Sequence, residues 1–260
     1  MKIGVSTSCY YPLETELSLA EVGKAGIDTT EIIFNASIEL KQDFINELKK
    51  IKDYYNINVT SIHPTASLAD SFMLFSAYER RLKEGLDTYK RYGEIAAQFG
   101  AKYVILHGGK PNGVLDEDGY CERFLQISDA VAEGGAVLLQ ENVAKFRAGS
   151  LDFLEKMKKN LGERAAFCLD VKQSIRNGYS PFAVMELLGD SVKHLHLSDN
   201  NEYKDCMLPL EGTFDFKAFL NCAASNGFSG DGVIEVYRNA YKEYFELGRC
   251  LENFKKSLAI

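Results

Sequence analysis

Residues 136–141 read AVLLQE and residues 165–170 read AAFCLD, two short apolar runs that each stop on a carboxylate. The form returns at residues 192–196, VKHLH, which stops on an imidazole, and at residues 231–235, DGVIE, which stops on another carboxylate. Runs of this length, rich in β-branched and large apolar residues, read as buried strands. In a parallel barrel all strand C-termini open on one face, and the chemistry gathers there. One such ending is uninformative, but Glu141, Asp170, His196 and Glu235 close four runs in series. His63 after NVTSI and His107 after AKYVIL carry the series into the first half of the chain.

Working outward from these runs, strand candidates are KIGVST, TTEIIF, NVTSIH, KYVILH, AVLLQE, AFCLD, VKHLHL and GVIEVY. Helical patterns separate them. Phe44, Leu48, Ile51 and Tyr55 mark a helix after the second strand, and residues 77–99 form the longest helical stretch. Tyr241, Tyr244, Phe245, Leu251, Phe254 and Leu258 recur at helical intervals near the end. Strand and helix alternating eight times imply parallel pairing through right-handed crossovers, and eight such units make a (β/α)8 TIM barrel. An open doubly wound sheet would place a glycine-rich loop after the first strand, where this chain has STSCYYP. With no linker or low-complexity segment, residues 1–260 read as one domain.

Lys and Arg total 30 against 37 for Asp and Glu, and the resulting net charge of −7 disfavours a nucleic-acid surface. No apolar stretch is long enough to span a membrane, and MKIGVSTSCYYP turns polar too soon for a secretory signal. Six cysteines lie scattered without a C-x-x-C pair, which points to reduced thiols and a cytoplasmic location.

Carboxylates at a barrel rim must be hydrated, hydrogen-bonded or bound to a cation. Three of them crowded with one imidazole suit Mn²⁺, Mg²⁺, Co²⁺ or Zn²⁺, so Glu141, Asp170, His196 and Glu235 are the expected metal ligands. His63 and His107 are expected either to hold a second metal with a bridging Glu141 or to hydrogen-bond substrate hydroxyls. His194, two residues before His196 on the same strand face, is expected one layer deeper, as a core histidine. Loop residues Tyr10, Lys110, Arg147, Lys172, Gln173 and Arg176 are candidates to line a pocket, with Tyr10, Lys172 and Gln173 assigned to substrate alongside His63 and His107.

The ordered set His63 (SIHPTAS), His107 (ILHGG), Glu141-Asn142 (LLQENV), Asp170 (CLDVKQ), His196 (HLHLSD) and Glu235 (VIEVY) resembles the xylose isomerase-like barrels. That superfamily contains ketose 3-epimerases, sugar isomerases, inosose dehydratase and endonuclease IV, and the resemblance runs from Ile3 to Tyr237. It implies one divalent metal on Glu141, Asp170, His196 and Glu235 as in the epimerase branch, with an additional metal on His63, His107 and a bridging Glu141 as in the endonuclease branch. Two departures stand out. Gln173 occupies a position usually held by histidine, and KDCMLPLEG offers Asp205 but puts Met207 where the endonuclease branch has histidine. Loss of both histidines argues against cleavage of DNA, while a glutamine amide can still donate a hydrogen bond.

The expected activity is therefore that of a metal-dependent isomerase or epimerase acting on a small ketose or keto-polyol. Proton transfer would run through a metal-stabilised enediolate, with Glu141 and Glu235 as the acid–base pair. Rival expectations on the same barrel are a metal-dependent dehydratase, an endonuclease IV-like phosphodiester hydrolase, or a non-catalytic sensor. No glycine-rich phosphate cradle follows strands seven or eight, which favours an unphosphorylated carbohydrate. The expected partners are that small molecule and, since related barrels often assemble, other copies in a homo-oligomer, with no nucleic acid or membrane.

Overall fold

The computed structural model describes residues 1–65 and 68–259, the side chains of 68–70 excepted; Ala66 and Ser67 of the SIHPTAS motif thus lie outside the described residues. Eight parallel strands close into a barrel in chain order: β1 (Ile3–Ser6), β2 (Thr29–Phe34), β3 (Asn58–Pro64), β4 (Tyr103–Leu106), β5 (Val137–Glu141), β6 (Phe167–Asp170), β7 (Val192–Leu197) and β8 (Asp231–Ile234). Closure runs through β1 and β8, with Ile3 opposite Gly232 and Val5 opposite Ile234. A closed ring excludes the open doubly wound alternative. On the other edge of β1, Gly4 is required against β2, because a Cβ there would collide with the Thr29 carbonyl.

Amphipathic helices follow the strands, among them Gln42–Tyr54, Glu79–Phe99 and Glu117–Gly134, which return the chain to the next strand, and Phe245–Leu258 after β8. Their apolar faces bury Ile45, Leu48, Ile95, Phe99, Phe124, Leu251 and Phe254 against the outer surface of the barrel. Gly100 ends the longest of them at φ 72, a left-handed turn that glycine adopts without strain. The Ala101 amide then bonds the Ala96 carbonyl at 2.9 Å and sends the chain into β4. No helix among the described residues is long and apolar enough to cross a membrane.

Several boundaries fall short of the sequence reading. β4 stops at Leu106 because Gly108 turns at φ 87, so His107 stands just past the strand. β8 stops at Ile234, leaving Glu235 as the first residue beyond it. A 3-10 turn at Arg238–Ala240 delays the last helix to Phe245, and Tyr241 instead donates its hydroxyl proton to the Cys9 carbonyl at 2.6 Å. Two register shifts align the residues at the barrel mouth. One, at Thr30/Glu31, sets Glu31 opposite Ser61; the other, at Phe167/Cys168, sets Cys168 opposite His194 and Asp170 opposite His196.

Candidate active site

Glu141 and Asp170 are the last residues of β5 and β6, His196 lies one residue before the end of β7, and Glu235 follows β8. Neighbouring parallel strands in register therefore deliver all four heads to the C-terminal mouth of the barrel. The Nδ1 atom of His196 lies 3.4 Å from Glu141 Oε1, 3.5 Å from Glu235 Oε2 and 3.9 Å from Asp170 Oδ2. One donor atom from each of the four falls within 4.8 Å of every other.

A second group shares Glu141. Its Oε2 is 2.9 Å from His107 Nε2 and 3.5 Å from His63 Nε2, and the two imidazoles approach at 3.2 Å. His63 Nδ1 is 2.8 Å from the Pro64 carbonyl, which can only accept, so the Nδ1 proton is fixed there and Nε2 is left to face Glu141. Glu141 thus turns one oxygen to His196 and the other to the histidine pair.

Beneath the rim lies a residue that the sequence reading did not single out. Glu31, on β2, is fully buried and accepts hydrogen bonds from Ser61 Oγ at 2.7 Å and Ser6 Oγ at 3.1 Å. Its Oε2 is also 3.2 Å from His196 Nε2. A carboxylate on that nitrogen fixes a proton at Nε2 and turns Nδ1 toward the other three carboxylates; burial opposes charge on the ring, but its anionic surroundings raise it well above the usual imidazole range. His194 is likewise fully buried, one layer deeper, with Nε2 3.3 Å from Ser61 Oγ.

The electrostatics follow from burying this many charges together. Burial pushes the Asp170 carboxyl up to about 7, with Glu235 and Glu141 adding to the rise and Lys172 opposing it. Burial also raises Glu235, but the Lys172 ammonium and His196 together pull it well below the usual carboxylate range. Burial works against the charge on His63, yet its bond to Glu141 raises it to about 9. For Glu31 the order repeats: burial lifts it and His196 brings it down to about 2.

Whether these residues suit a divalent ion can be judged from the buried atoms themselves. Among the described residues, His196 Nδ1 is buried without a hydrogen-bond partner and faces three carboxylates, while Glu141 Oε2 meets only the two imidazoles and Asp170 Oδ2 otherwise only the Lys172 ammonium. Unpaired buried polar atoms are costly. An oxygen-and-imidazole set of this kind suits a cation of the Zn²⁺ or Mn²⁺ type, so the residues fit.

A cavity of about 340 Å³ opens onto the site, lined by Ser8, Tyr11, Asn35, His63, His107, Glu141, Lys172, Gln173, Glu235 and Tyr237 among others. Lys172 and Gln173 line it. Tyr10 does not, and that expectation is corrected: the chain leaves β1 through a 3-10 turn, Thr7–Tyr10, which rolls Tyr10 into the core against Tyr244. Its neighbour Tyr11 faces the cavity instead. Three other loop candidates are engaged elsewhere. Lys110 lies 3.6 Å from the centre of the Phe146 ring, and Arg147 donates to the Leu115 carbonyl at 2.6 Å. Arg176 donates to Asp205 at 3.1 Å and to the Tyr237 hydroxyl at 2.7 Å. Asp205 is thereby committed to an ion pair.

Gln173 is oriented by its backbone neighbour. The Ala144 amide donates to Gln173 Oε1 at 3.1 Å, so the carbonyl end of the side chain is used and its NH₂ end remains for the cavity. The loop after β7 is held by Asp199, which accepts from the Leu210, Gly212 and Phe214 amides at 2.9, 3.0 and 3.0 Å.

Comparison with known proteins gives one family match: the family described as xylose isomerase-like TIM barrel fits residues 19–253. Uncharacterized protein ML2432 of Mycobacterium leprae (strain TN) is 24% identical over 272 residues, covering 95% of this chain and 92% of its own. Among solved structures, a D-tagatose 3-epimerase-like protein superposes with a TM-score of 0.79 at 20% identity, covering 100% of this chain and 98% of that one. The IOLI protein with a binding zinc atom superposes at 0.74 and 17% identity, covering 99% and 96%.

Proposed function

This chain belongs to the xylose isomerase-like TIM barrel family, and on that premise we propose that it is a divalent-metal-dependent isomerase or epimerase of a small ketose or keto-polyol. The observation that carries the proposal is the convergence of Glu141, Asp170, His196 and Glu235, with donor atoms within 4.8 Å of one another at the barrel mouth. Similarity to a D-tagatose 3-epimerase-like protein and to a zinc-binding barrel supports it. These four residues would hold the ion; bound there, Mn²⁺, Zn²⁺, Co²⁺ or Mg²⁺ supplies fixed positive charge that polarises a substrate carbonyl and acidifies the adjacent C–H.

The remaining work falls to side chains. Glu235 borders the cavity, with Lys172 on Oε2 at 2.9 Å and Ser8 on Oε1 at 3.4 Å, and is the carboxylate assigned to take a proton from carbon. Glu141 stands across the same space and passes a proton drawn from the histidine pair on its Oε2 to the neighbouring carbon or to the opposite face. His63, His107 and the Gln173 NH₂ group offer hydrogen bonds to substrate oxygens. The cavity volume of about 340 Å³ suits a monosaccharide-sized molecule. We place the activity in a cytoplasmic protein acting on a carbohydrate, with no role for nucleic acid or membrane.

The decisive experiment is deuterium uptake from D₂O into a panel of ketoses, keto-inositols and hydroxy-aldehydes, with Mn²⁺, Co²⁺ or Zn²⁺ added singly. Label is expected at a carbon next to the carbonyl, and only with metal present. Failure to label any member of the panel, in protein that has taken up metal, would remove proton transfer as the reaction. A second reading, hydrolysis of a phosphodiester, is favoured by one observation: the His63–His107–Glu141 group, which shares Glu141 with the first set. Met207 and Gln173 weigh against it, and turnover of bis-p-nitrophenyl phosphate would support it. Dehydration of the keto-polyol would appear in the same D₂O experiment as loss of water from the labelled product.

A further inference from the structure

Lys172 is the unusual member of the site. Its side chain is buried, with only 3% exposed, and its Nζ lies 3.2 Å from Asp170 Oδ2 and 2.9 Å from Glu235 Oε2. Those are the same two oxygens that face His196 Nδ1 at 3.9 and 3.5 Å. The ammonium therefore touches half of the expected ligand set through the atoms expected to ligate. On its other side, Nζ stands 5.1 Å from the centre of the Tyr237 ring, which also lines the cavity.

Two cations drawn to the same pair of oxygens repel each other strongly at such distances when both are shielded from water. Three carboxylates in one buried space, in turn, need positive charge in the absence of an ion. Lys172 meets that need, and the Tyr237 ring, which the Arg176 guanidinium also approaches at 5.2 Å, marks the side toward which the ammonium is pushed, since an aromatic face attracts a cation. The geometry points to Lys172 as a built-in counter-cation that a divalent ion displaces from Asp170 and Glu235 toward Tyr237, where the ammonium meets the substrate's oxygens. The site thus trades one positive charge for another, and the departing charge moves into the space where substrate binds. This inference rests on the proposed metal centre of Glu141, Asp170, His196 and Glu235.

The test uses the full chain with Zn²⁺ or Mn²⁺ alone as probe, titrated against a chromophoric chelator. Lys172→Met is expected to bind the ion at least about fivefold tighter than wild type, the lower end of couplings between sites that share groups. Its metal-free form should melt at a lower temperature than wild type, and added metal should raise its melting temperature by more. Equal or weaker metal affinity in the variant overturns the inference while leaving the metal centre standing. Absence of metal binding in both proteins overturns the inference together with the reading beneath it. A measurement on the wild type keeps the question open to test should the variant fail to fold. Reductive methylation by formaldehyde, followed by mass spectrometry of the peptide carrying Lys172, should be slow without metal and faster with it. A rate at Lys172 that ignores metal overturns the displacement.

Discussion

Replacing Glu31 by glutamine tests how the site is held from below. Glu31 accepts from Ser6 and Ser61 and sits 3.2 Å from His196 Nε2, wholly out of solvent. Glutamine has nearly the same size, and its amide oxygen can still accept from Ser61 while its NH₂ donates to Ser6 Oγ. The bond to His196 loses its charge. A hydrogen bond to a charged group is worth about 1.5–3 kcal/mol, and partners that orient a metal-bound histidine typically carry about 10–100-fold in metal affinity. Stability should move less, because removing a buried charge also removes its desolvation cost. We therefore expect Glu31→Gln to unfold in urea within about 2 kcal/mol of wild type and to bind Zn²⁺ about 10–100-fold more weakly in chelator competition. Metal affinity within about threefold of wild type in a folded variant would show that Glu31 does not set the direction of the His196 ring.

Other substitutions address other parts of the argument. Glu235→Gln should keep the fold and lose about 10²–10⁴-fold in isotope exchange, the usual share of one acid–base group; undiminished exchange would take Glu235 out of the reaction. Burial depresses His194 to about 4 from 6.5. Above about 6.5 it is neutral both folded and unfolded and contributes nothing; as pH falls toward about 4 only the unfolded chain takes up the proton, so stability drops by about 3 kcal/mol in total. Urea melts of wild type and His194→Gln should diverge across that window, and parallel curves would contradict it. Gly108→Ala should cost about 1–3 kcal/mol through its positive φ alone, and more because the new methyl would collide with the Tyr120 hydroxyl; calorimetry showing no loss would mean the turn after His107 relaxes freely.

The barrel was readable because each strand is a compact apolar run with a polar stop, and the stops mark the rim. What blurred the boundaries was backbone turning that composition does not encode. Gly108 bends the chain right after His107, and the 3-10 turn after β1 advances each side chain by about 120°, so Tyr11 and not Tyr10 meets the cavity. Such a turn has no period that would tell two adjacent tyrosines apart.

Glu31 was missed for a different reason, and here a signal did exist. A glutamate inside TTEIIF reads as the polar face of a half-exposed strand, whereas in a closed barrel both faces of a strand are covered. Alternation by two then relates rim and interior. Ser61 lies two residues before His63, His194 two before His196, and Glu31 two before Ile33, which lines the cavity. All three are fully buried and meet one another: Ser61 bonds Glu31 at 2.7 Å and lies 3.3 Å from His194. Counting two residues toward the N-terminus from Ile33, His63 and His196 thus finds a polar cluster under one side of the site, whereas the same step from His107, Glu141 and Asp170 lands on the apolar Ile105, Leu139 and Cys168. A buried acid in that cluster needs a partner to remain charged, and His196 supplies it from above while the two serines supply it from the sides. The same constraint works in reverse: with its Nε2 proton committed to Glu31, His196 can turn only Nδ1 toward Glu141, Asp170 and Glu235. The direction of the rim imidazole is therefore set by a strand on the far side of the barrel.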